Sequence, residues 1–591
     1  MSTIAWQVVA RSPRPMFATH GASAVEQPSL GRNLHSAPSS SSTAFSVTAA
    51  SLLIWGMARR RGRASVQGRR AAVVPPGRLA PDDPVLADPA RFGEGHFSHL
   101  DWCNAIRTAK VYGWADCEVE GVIPADLEGT LYRNGPGRFV RGEVTYKHFL
   151  DGDGFVSAWE IANGKARYHG DFVRTKEYME EDAADEVLYR GAFGTNRAGG
   201  LPENAFRINM KNLANTNVVA WGGRLLALYE ANHPCSLDPT SLGCIVEEDD
   251  LDGLLRPGLA ASSGNPIVDS LLGMGGEAFT AHPKMDPQRR SLVAFTWRSK
   301  DNGIELQIHE FDERFRPLLP SDRQLAPLYM PNSAVQPHDF GLTSRWCVFI
   351  ENRLEVGSMV DFLLGEKGAV QCLQGRPDLP QRIHVVSRSG ADATVTIEAS
   401  LSAFDVHVAH CHDGPPIGSS TPRDDDLVTI YTSGWDTFPE GPFLSSWGSQ
   451  DTVWPFELPQ GALASDFNDV PIARLLRHVI DVRSGEVVER GVAPGCESLC
   501  MEHPTINCSY TGNPHCRYVY MVLGNEANLS TPPSGWARAD LLTGEVKRWY
   551  AGSRTVAEEP HFVPRQGPRG TWEPGAPEGA EDDGWLICVL Y

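Results

Sequence analysis

The chain has 591 residues, with 53 Lys and Arg against 73 Asp and Glu, a formal net charge of −20, 57 Gly, 43 Pro and 12 Cys. Its length and composition exclude collagen-like and wholly disordered proteins. The acidic excess argues against nucleic-acid binding, because phosphate contacts need a concentrated positive field. Twelve cysteines in so long a chain are too few for a disulfide scaffold.

The first 80 residues differ in composition from the rest of the chain. They contain ten Arg, no Lys and a single acidic residue, Glu26, which is typical of an organelle transit peptide. An uncharged stretch at residues 44–57 is shorter than the ~20 residues that a membrane-spanning helix needs. We therefore predict a targeting-type or disordered leader and linker at residues 1–80, and a folded domain at residues 81–591.

Short strand-like segments separated by turn residues recur through the folded part. Examples are residues 129–133, 291–297, 346–350 and 518–523, which are rich in β-branched and aromatic side chains. About 500 residues of short strands fit a β-propeller, whose four-stranded blades take ~40–50 residues each, better than a sandwich. Helical segments are predicted at residues 182–189 and 249–255, as insertions between strands.

Three histidines stand in contexts that favour a metal site. His282 lies in FTAHPKMDP, His338 in QPHDFGLTSRWCVFI and His407 in FDVHVAHCHDG. A metal at the axis of a propeller would draw one ligand from each of several blades, whereas local zinc motifs place ligands two to five residues apart. Imidazole ligands suit iron, copper or zinc alike, so spacing alone leaves the metal open.

The chain resembles the carotenoid cleavage oxygenase family, which includes apocarotenoid oxygenases, lignostilbene dioxygenases and the retinal pigment epithelium isomerohydrolase. The motifs AHPKMDP and PHDF resemble the first and second iron-ligand motifs of this family. Further matching segments occur in the family's order along the chain, namely PADLEGTLYRNGPGRF, HFLDGDGFVSAWEI, FVRTKEY, LYEANHPCSLDPTSLG, MEHPTIN with RYVY, and EEPHFVPR with EDDGWLICVLY. The resemblance implies an all-β, seven-bladed β-propeller with loop and helical insertions that form a lid over an axial iron site.

The family pattern also implies the ligand set. Four histidines hold a ferrous ion in the family, and three of them are fixed by glutamates. Transferred to this chain, the pattern makes His282, His338 and His407 ligands of Fe2+, with His410 as a competing assignment for the third. The corresponding glutamates, which would accept the distal N–H of a ligating imidazole, are Glu230, Glu502 and Glu559.

The resemblance departs at the end of the chain. In the family the closing blade continues into a Gly-Phe-His-Gly motif that supplies the fourth histidine, whereas this chain stops at Tyr591. We therefore expect a truncated last blade. The sequence leaves open a fragment of a four-histidine protein, a three-histidine iron site, or a catalytically degraded relative.

The resemblance implies cleavage of a carbon–carbon double bond by dioxygen, which gives two carbonyl products. A carotenoid or apocarotenoid is the expected substrate, and a plastid or another organelle the expected location, with peripheral contact to a membrane. A dry tunnel for the polyene would be lined from residues 193–206, 254–274 and 438–456. A stilbene is the alternative substrate; Lys176 could meet its phenolate, but a solvated lysine is the favoured interpretation of this residue.

Three further alternatives remain open. The first is a propeller that binds a ligand without catalysis, and the second is isomerisation and hydrolysis of a retinyl ester. The third is a zinc module whose ligands would be drawn from Cys496, Cys500, His503, Cys508 and Cys516.

Overall fold

The computed structural model describes residues 10–11, 105–262, 269–270, 273–318, 325–400, 403–420, 426–436, 471–524, 528–550, 555–565 and 581–591. The leader predicted at residues 1–80 lies almost wholly outside these residues. No helix in the described ranges is long and apolar enough to cross a membrane.

Six antiparallel sheets follow one another along the chain, each built from strands that are close together in sequence. The strands of the first to sixth sheets are, in turn, β2 (Tyr112–Asp116), β4 (Gly129–Arg138), β7 (Asp153–Ala162) and β8 (Lys165–Phe172); β9 (Asn217–Trp221), β10 (Arg224–Leu228), β11 (Cys235–Leu237) and β12 (Cys244–Val246); β13 (Ala278–Phe279), β14 (Lys284–Asp286), β15 (Ser291–Lys300), β16 (Gly303–Phe311) and β17 (Leu328–Pro331); β18 (Phe340–Leu342), β19 (Trp346–Glu351), β22 (Gln381–Ser387) and β23 (Val395–Ala399); β24 (Phe404–Asp413), β25 (Leu427–Trp435), β26 (Arg474–Asp481) and β27 (Glu486–Val492); and β28 (Met501–Thr505), β29 (Tyr518–Gly524), β30 (Pro533–Asp540) and β31 (Val546–Tyr550).

Short two-stranded sheets complete the described strands. They pair β1 (Ala10–Arg11) with β3 (Glu118–Val119), β5 (Val140–Arg141) with β6 (Val144–Thr145), β20 (Leu354–Val356) with β21 (Leu373–Gly375), and β32 (His561–Pro564) with β33 (Gly584–Ile587). The strand predictions at residues 129–133, 291–297, 346–350 and 518–523 are confirmed, since they fall in β4, β15, β19 and β29.

The order of strands within the sheets is that of a propeller. In the second, fourth, fifth and sixth sheets the strands lie side by side in chain order, so the first strand of each forms one edge. These edge strands contact each other between neighbouring sheets, as β18 does with β24 and β24 with β28. The first strands therefore surround a common axis, and each sheet meanders outward from it.

The hydrophobic core lies between neighbouring sheets rather than at one centre. Phe295 of the third sheet packs with Phe349 of the fourth, and Val348 of the fourth packs with Ile430 of the fifth. Middle strands such as β19 and β25 are buried along their whole length. This explains why, apart from Glu351 at the end of β19, they are apolar or small throughout instead of alternating, as expected for strands covered on both faces.

The pair β32 and β33 occupies the place between the sixth sheet and the first. Val563 and Trp585 pack against Ile123 and Ile161 near the first sheet, and Leu590 packs near Trp536 of the sixth. The all-β propeller prediction is confirmed, but the prediction of seven blades is wrong for the described residues. They form six blade-sized sheets, because only two strands follow β31 there and they pair only with each other. A truncated last blade and a lid stay predictions.

Helices in the described part are short insertions, α1 (Lys176–Ala184), α2 (Leu201–Asn204) and α3 (Met359–Leu364). The helix predicted at residues 182–189 overlaps only the end of α1. The helix predicted at residues 249–255 is wrong, because Leu251 and Asp252 have positive φ angles of 53° and 63°. The Asp249 carboxylate accepts the backbone N–H of Leu251 and thereby favours a turn over a helix.

Candidate metal centre

The three histidines indicated by the sequence lie together beside the innermost strands of three consecutive sheets. His282 follows β13, His338 precedes β18, and His407 lies in β24. The Nε2 atoms of His282 and His338 are 2.9 Å apart, and those of His338 and His407 are 3.3 Å apart. Because a propeller brings residues from successive blades to one axis, side chains 56 and 69 positions apart meet at one point.

Two of the predicted glutamates hold the outer nitrogens of these rings. His338 Nδ1 lies 2.6 Å from Glu230 Oε2, and His407 Nδ1 lies 2.8 Å from Glu502 Oε2. A carboxylate only accepts hydrogen bonds, so both Nδ1 atoms carry the proton. In the neutral rings the Nε2 atoms are then left with lone pairs that face each other.

This arrangement fits a metal cation. Two lone pairs 3.3 Å apart, on His338 and His407, repel each other unless a positive charge lies between them. Ligand atoms about 2.1 Å from one ion, at angles of about 90–109°, are about 3.0–3.4 Å apart, close to the observed spacing. The cluster formed by His282, His338 and His407 is therefore a suitable site for a metal that prefers imidazole ligands.

The glutamates are themselves fixed by neighbouring strands. Ser433 Oγ of β25 donates to Glu502 Oε1 at 2.8 Å. The indole of Trp297 in β15 donates to the backbone oxygen of Glu230 at 2.6 Å. Such outer contacts fix the direction of each carboxylate and, through it, the plane of the ring it holds.

The pKa shifts of these groups reflect the same contacts. Burial and the neighbouring His338 hold the pKa of His282 well below its usual range. Burial alone would lower the pKa of His407, but the carboxylate of Glu502 outweighs it and raises the pKa. Burial opposes ionisation of Glu502, yet the facing His407 brings the pKa of this carboxyl below its usual range. Glu502 is therefore an ionised acceptor at neutral pH.

Lys284 and Asp339 connect the three histidine segments, and the sequence analysis did not identify either residue. Lys284 Nζ lies 2.8 Å from Asp339 and 3.3 Å from the backbone oxygen of Val408. Asp339 in turn accepts the Val408 N–H at 2.8 Å. Each of these residues follows one of the histidines by one or two positions. Their place inside the motifs AHPKMDP and PHDF is the signal that could have revealed them.

His410, the competing assignment, does not join the cluster. Its Nε2 atom contacts the backbone oxygen of Asn513 at 3.0 Å, and its ring is buried. The pairing of β24 with β25 shifts register on both sides of His407 and Val408. Bulges of this kind re-aim side chains, and here His407 is the ring that faces the axis.

Glu559 contacts none of the three clustered histidines. Its Oε1 atom accepts from Arg133 Nη1 at 2.8 Å, and its Oε2 atom lies 3.8 Å from Nδ1 of His503. His503 follows Glu502 directly and forms a second possible metal-holding group with His407 and Glu502.

The zinc module considered from the sequence is not formed. Neither of the possible metal-holding groups among the described residues contains a cysteine. Cys496 packs in the core between the fifth and sixth sheets, while Cys516 faces Glu581 at 3.5 Å. These thiols serve separate packing positions.

Comparison with known proteins agrees with the fold. A family model described as retinal pigment epithelial membrane protein matches residues 107–591. Apocarotenoid-15,15′-oxygenase of Synechocystis sp. is 31% identical over 506 residues, which cover 84% of this chain and 89% of that protein. The chloroplastic carotenoid cleavage dioxygenase 7 of Arabidopsis thaliana is 25% identical over 525 residues, covering 80% of each chain.

Lignostilbene-α,β-dioxygenase isozyme III of Sphingomonas paucimobilis is 24% identical over 495 residues, which cover 80% of this chain and 85% of that protein. Among solved structures, the cobalt-substituted Synechocystis apocarotenoid oxygenase matches with a TM-score of 0.68 at 30% identity. That match covers 84% of this chain and 91% of the other. The protein described here therefore belongs to the carotenoid cleavage oxygenase family.

Proposed function

We propose that this protein is a non-haem Fe2+ dioxygenase that cleaves a carbon–carbon double bond of a carotenoid or apocarotenoid and gives two carbonyl products. The observation that carries the proposal is the convergence of three imidazole Nε2 atoms, two of them on rings whose Nδ1 atoms face glutamates. His282, His338 and His407 would hold the iron. When bound, the ferrous ion would supply the activation of dioxygen.

The chain itself contributes position and protonation. Glu230 and Glu502 keep the protons of His338 and His407 on Nδ1, so that the Nε2 atoms remain available as donors to a metal. The Lys284–Asp339 ion pair fixes the spacing between the segments that carry the three rings. Neutral imidazoles leave the charge of a bound cation largely uncompensated, which favours its role as an electrophile.

The relatives support the proposed substrate class. The apocarotenoid oxygenase is 31% identical to this chain, whereas the resveratrol cleavage oxygenase of Chaetomium globosum and the lignostilbene dioxygenase are 25% and 24% identical. This order favours a carotenoid or apocarotenoid over a stilbene, which stays the alternative. Lys176, the candidate for contact with a phenolate, lies exposed at the first position of α1.

Two insertions support the predicted contact with a membrane. The backbone N–H of Phe206 donates to the backbone oxygen of Leu363 at 2.7 Å, so the segment that follows α2 is hydrogen-bonded to α3. Nearby, Leu201, Phe206 and Val360 are 48%, 74% and 63% exposed. We name these three residues the apolar patch and propose that it enters the surface of a bilayer, from which an apolar polyene would be drawn.

The names of two plant relatives include the word chloroplastic, which supports a plastid as the location together with the Arg-rich leader. The segment at residues 193–206 and the described parts of 254–274 remain candidates to line the tunnel. The segment at residues 438–456 lies outside the described residues.

The test is incubation of the full chain, loaded anaerobically with Fe2+, with an apocarotenoid or a stilbene and isotopically labelled dioxygen. The proposal predicts two carbonyl products from the apocarotenoid, labelled from dioxygen, and none with His338→Ala. Cleavage of the stilbene alone would select the alternative substrate. Isomerised product without label would indicate retinyl-ester chemistry, and binding without any product would indicate a binding propeller.

A further inference from the structure

Two cysteine side chains meet in the second sheet, outside the three-histidine cluster. Cys235 lies in β11 and Cys244 in β12, and their sulfur atoms are 2.9 Å apart. Among the eleven described cysteines, all of them free thiols, these are the only two that are hydrogen-bonded to each other. A covalent S–S bond is about 2.05 Å long, so the two sulfurs need to approach by only about 0.9 Å to be joined.

The pairing of β11 with β12 explains this meeting. Leu237 lies opposite Cys244 in the antiparallel ladder, and a register shift after Ser236 leaves Ile245 as an extra residue of β12. Side chains alternate along a strand, so Cys235 and Leu237 are on the same face of the sheet, to which Cys244 also points. The two thiols are therefore diagonal neighbours on one face of the sheet.

The turn between the two strands is fixed by local hydrogen bonds. The Asp238 carboxylate accepts the backbone N–H groups of Thr240 and Ser241 at 2.9 Å and 2.7 Å. The backbone N–H of Asp238 donates to the backbone oxygen of Gly243 at 2.9 Å. The chain between the cysteines is thus already ordered when both are thiols. Joining them costs little further conformational entropy in the folded state.

The two sulfurs differ in access and in acidity. Cys235 is fully buried, whereas Cys244 is half-buried in β12, an edge strand of the sheet. The hydrogen bond donated by the Cys235 thiol lowers the pKa of Cys244, against the effect of burial. The same hydrogen bond, together with burial, raises the pKa of Cys235. Cys244 is therefore suited to react first, because the thiolate is the nucleophile.

We propose that Cys235 and Cys244 are a redox-active pair that forms an internal disulfide by exchange with a small-molecule disulfide. The Cys244 thiolate attacks one sulfur of that disulfide, forms a mixed disulfide and releases the other sulfur as a thiolate. Cys235 then gives up its proton and attacks the Cys244 sulfur, which releases the second thiolate. Together the two cysteines lose two electrons and two protons, and the small molecule is reduced to two thiols. An excess of small thiols reverses both steps.

The disulfide would cross-link strands that lie beside a segment of the metal centre. Ala227 of β10 pairs with Cys235 of β11. The connection between these two strands carries Glu230, whose carboxylate faces His338 at 2.6 Å. A bond between β11 and β12 would fix the strand on which this connection ends and would restrict the unfolded chain. The oxidised protein should therefore unfold at a higher temperature than the reduced protein.

The experiment equilibrates the full chain under nitrogen with mixtures of mercaptoethanol and hydroxyethyl disulfide. This pair is uncharged, so the acidic Glu247 and Glu248 that follow β12 do not repel it. Free thiols are alkylated in denaturant. Trypsin then releases a peptide, residues 225–284, that contains Cys235 and Cys244 and no other cysteine, and its mass gives the state of both.

We expect this peptide to carry two alkyl groups from reducing mixtures, and none from oxidising mixtures, where an internal disulfide takes their place. The midpoint of thermal unfolding should be higher for the oxidised chain. In Cys244→Ser, the buried Cys235 should stay free in every mixture. Cys508→Ser, which changes a half-buried cysteine between β28 and β29, is the matched control and should behave as the wild type does.

Alkylation of both cysteines in every mixture would overturn the inference, as would a mixed disulfide on Cys244 that Cys235 does not displace. A disulfide that excess mercaptoethanol leaves intact would contradict a redox-active pair. The wild-type peptide decides these outcomes even if Cys244→Ser does not fold. None of them depends on the proposed function, because no metal or substrate is added.

Discussion

Lys284 and Asp339 form an ion pair, 2.8 Å between Nζ and the carboxylate, that connects the third sheet to the segment leading into the fourth. Asp339 also accepts the N–H of Val408 in the fifth sheet. Lys284 lies two positions after His282, and Asp339 directly follows His338. The three rings are therefore held by a network of their immediate neighbours as well as by the propeller.

Removing Asp339 should loosen the cluster and the fold together. Asp339→Ala leaves the partly buried Lys284 ammonium without its partner, and loss of one member of a buried pair costs about 3–5 kcal/mol. Because Lys284 is not fully buried, we expect the lower end of that range. Chemical denaturation measures the change, with Asp378→Ala, an exposed member of a surface pair, as the control. Equal stability of the two variants would contradict the role of Asp339.

Glu502 should matter for metal affinity more than for folding. Glu502→Gln preserves shape but replaces the carboxylate that fixes His407, and loss of such a partner lowers metal affinity about 10–100-fold. Equilibrium titration with Fe2+ or Co2+ checks this. Glu489→Gln, which alters an exposed surface pair with Arg477, should bind like the wild type. An affinity for Glu502→Gln equal to that of the Glu489→Gln control would exclude the orienting role.

Lys211 pairs, together with Arg141, with two buried carboxylates, Asp153 of the first sheet and Glu181 of α1. Its Nζ atom lies 2.9 Å from Asp153 and 3.0 Å from Glu181, all three side chains being almost fully buried. Lys211→Met should cost about 3 kcal/mol of unfolding free energy, the lower end of the range for a broken buried pair, because Arg141 remains 3.6 Å from Asp153 and 3.3 Å from Glu181. Lys165→Met, at an exposed position of β8, is the control and should cost less than about 0.5 kcal/mol.

The pH dependence of the Lys211 effect has a definite sign. Burial would lower the pKa of Lys211, but Asp153 leads the interactions that outweigh it and raise the pKa above its usual range. A raised folded-state pKa contributes stability that is fully present below the unfolded pKa, about 10.4, and is lost only as pH rises through the folded value. The cost of Lys211→Met should therefore be the same at about pH 6 and about pH 8. A cost that changed between them would contradict a permanently charged lysine.

The apolar patch should determine binding to lipid. Transfer of one large apolar side chain out of water is worth about 1.5–3 kcal/mol, so Phe206→Ser should lower binding to phospholipid vesicles about tenfold. Co-sedimentation measures this. Val488→Ser, at an exposed apolar position on β27, is the control and should bind as the wild type does. Loss of binding in both variants, or in neither, would exclude a specific patch.

The sequence predicted most of the candidate site because its histidines lie in short local motifs. His282 and His338 could be assigned because their motifs resemble those of the family, whereas the roles of Lys284 and Asp339 depend on contacts between sheets. The local sequence also does not show that Glu559 lies near His503, since 56 residues separate them. This proximity arises only when the sixth sheet brings His503 beside His407.

Fold details were predicted less well where local and distant contacts compete. Strands such as β15 and β19 were predicted because their residues are strongly apolar or β-branched. The helix expected at residues 249–255 failed because Asp249 is held by Ser236 and Arg224 and caps a turn. The number of blades depends on which strands pair with each other along the whole chain. A strand-like segment in the sequence does not specify its pairing partner.

The most direct test of a three-histidine iron centre is the iron content of the purified full chain and of His338→Ala, both loaded anaerobically with Fe2+ and desalted. His338 is the ring whose Nε2 atom lies within 3.3 Å of both other Nε2 atoms, so its loss should remove the site. We predict about one iron per chain in the wild type and less than about a tenth of that in the variant. Equal iron in both proteins, or none in the wild type, would contradict the account.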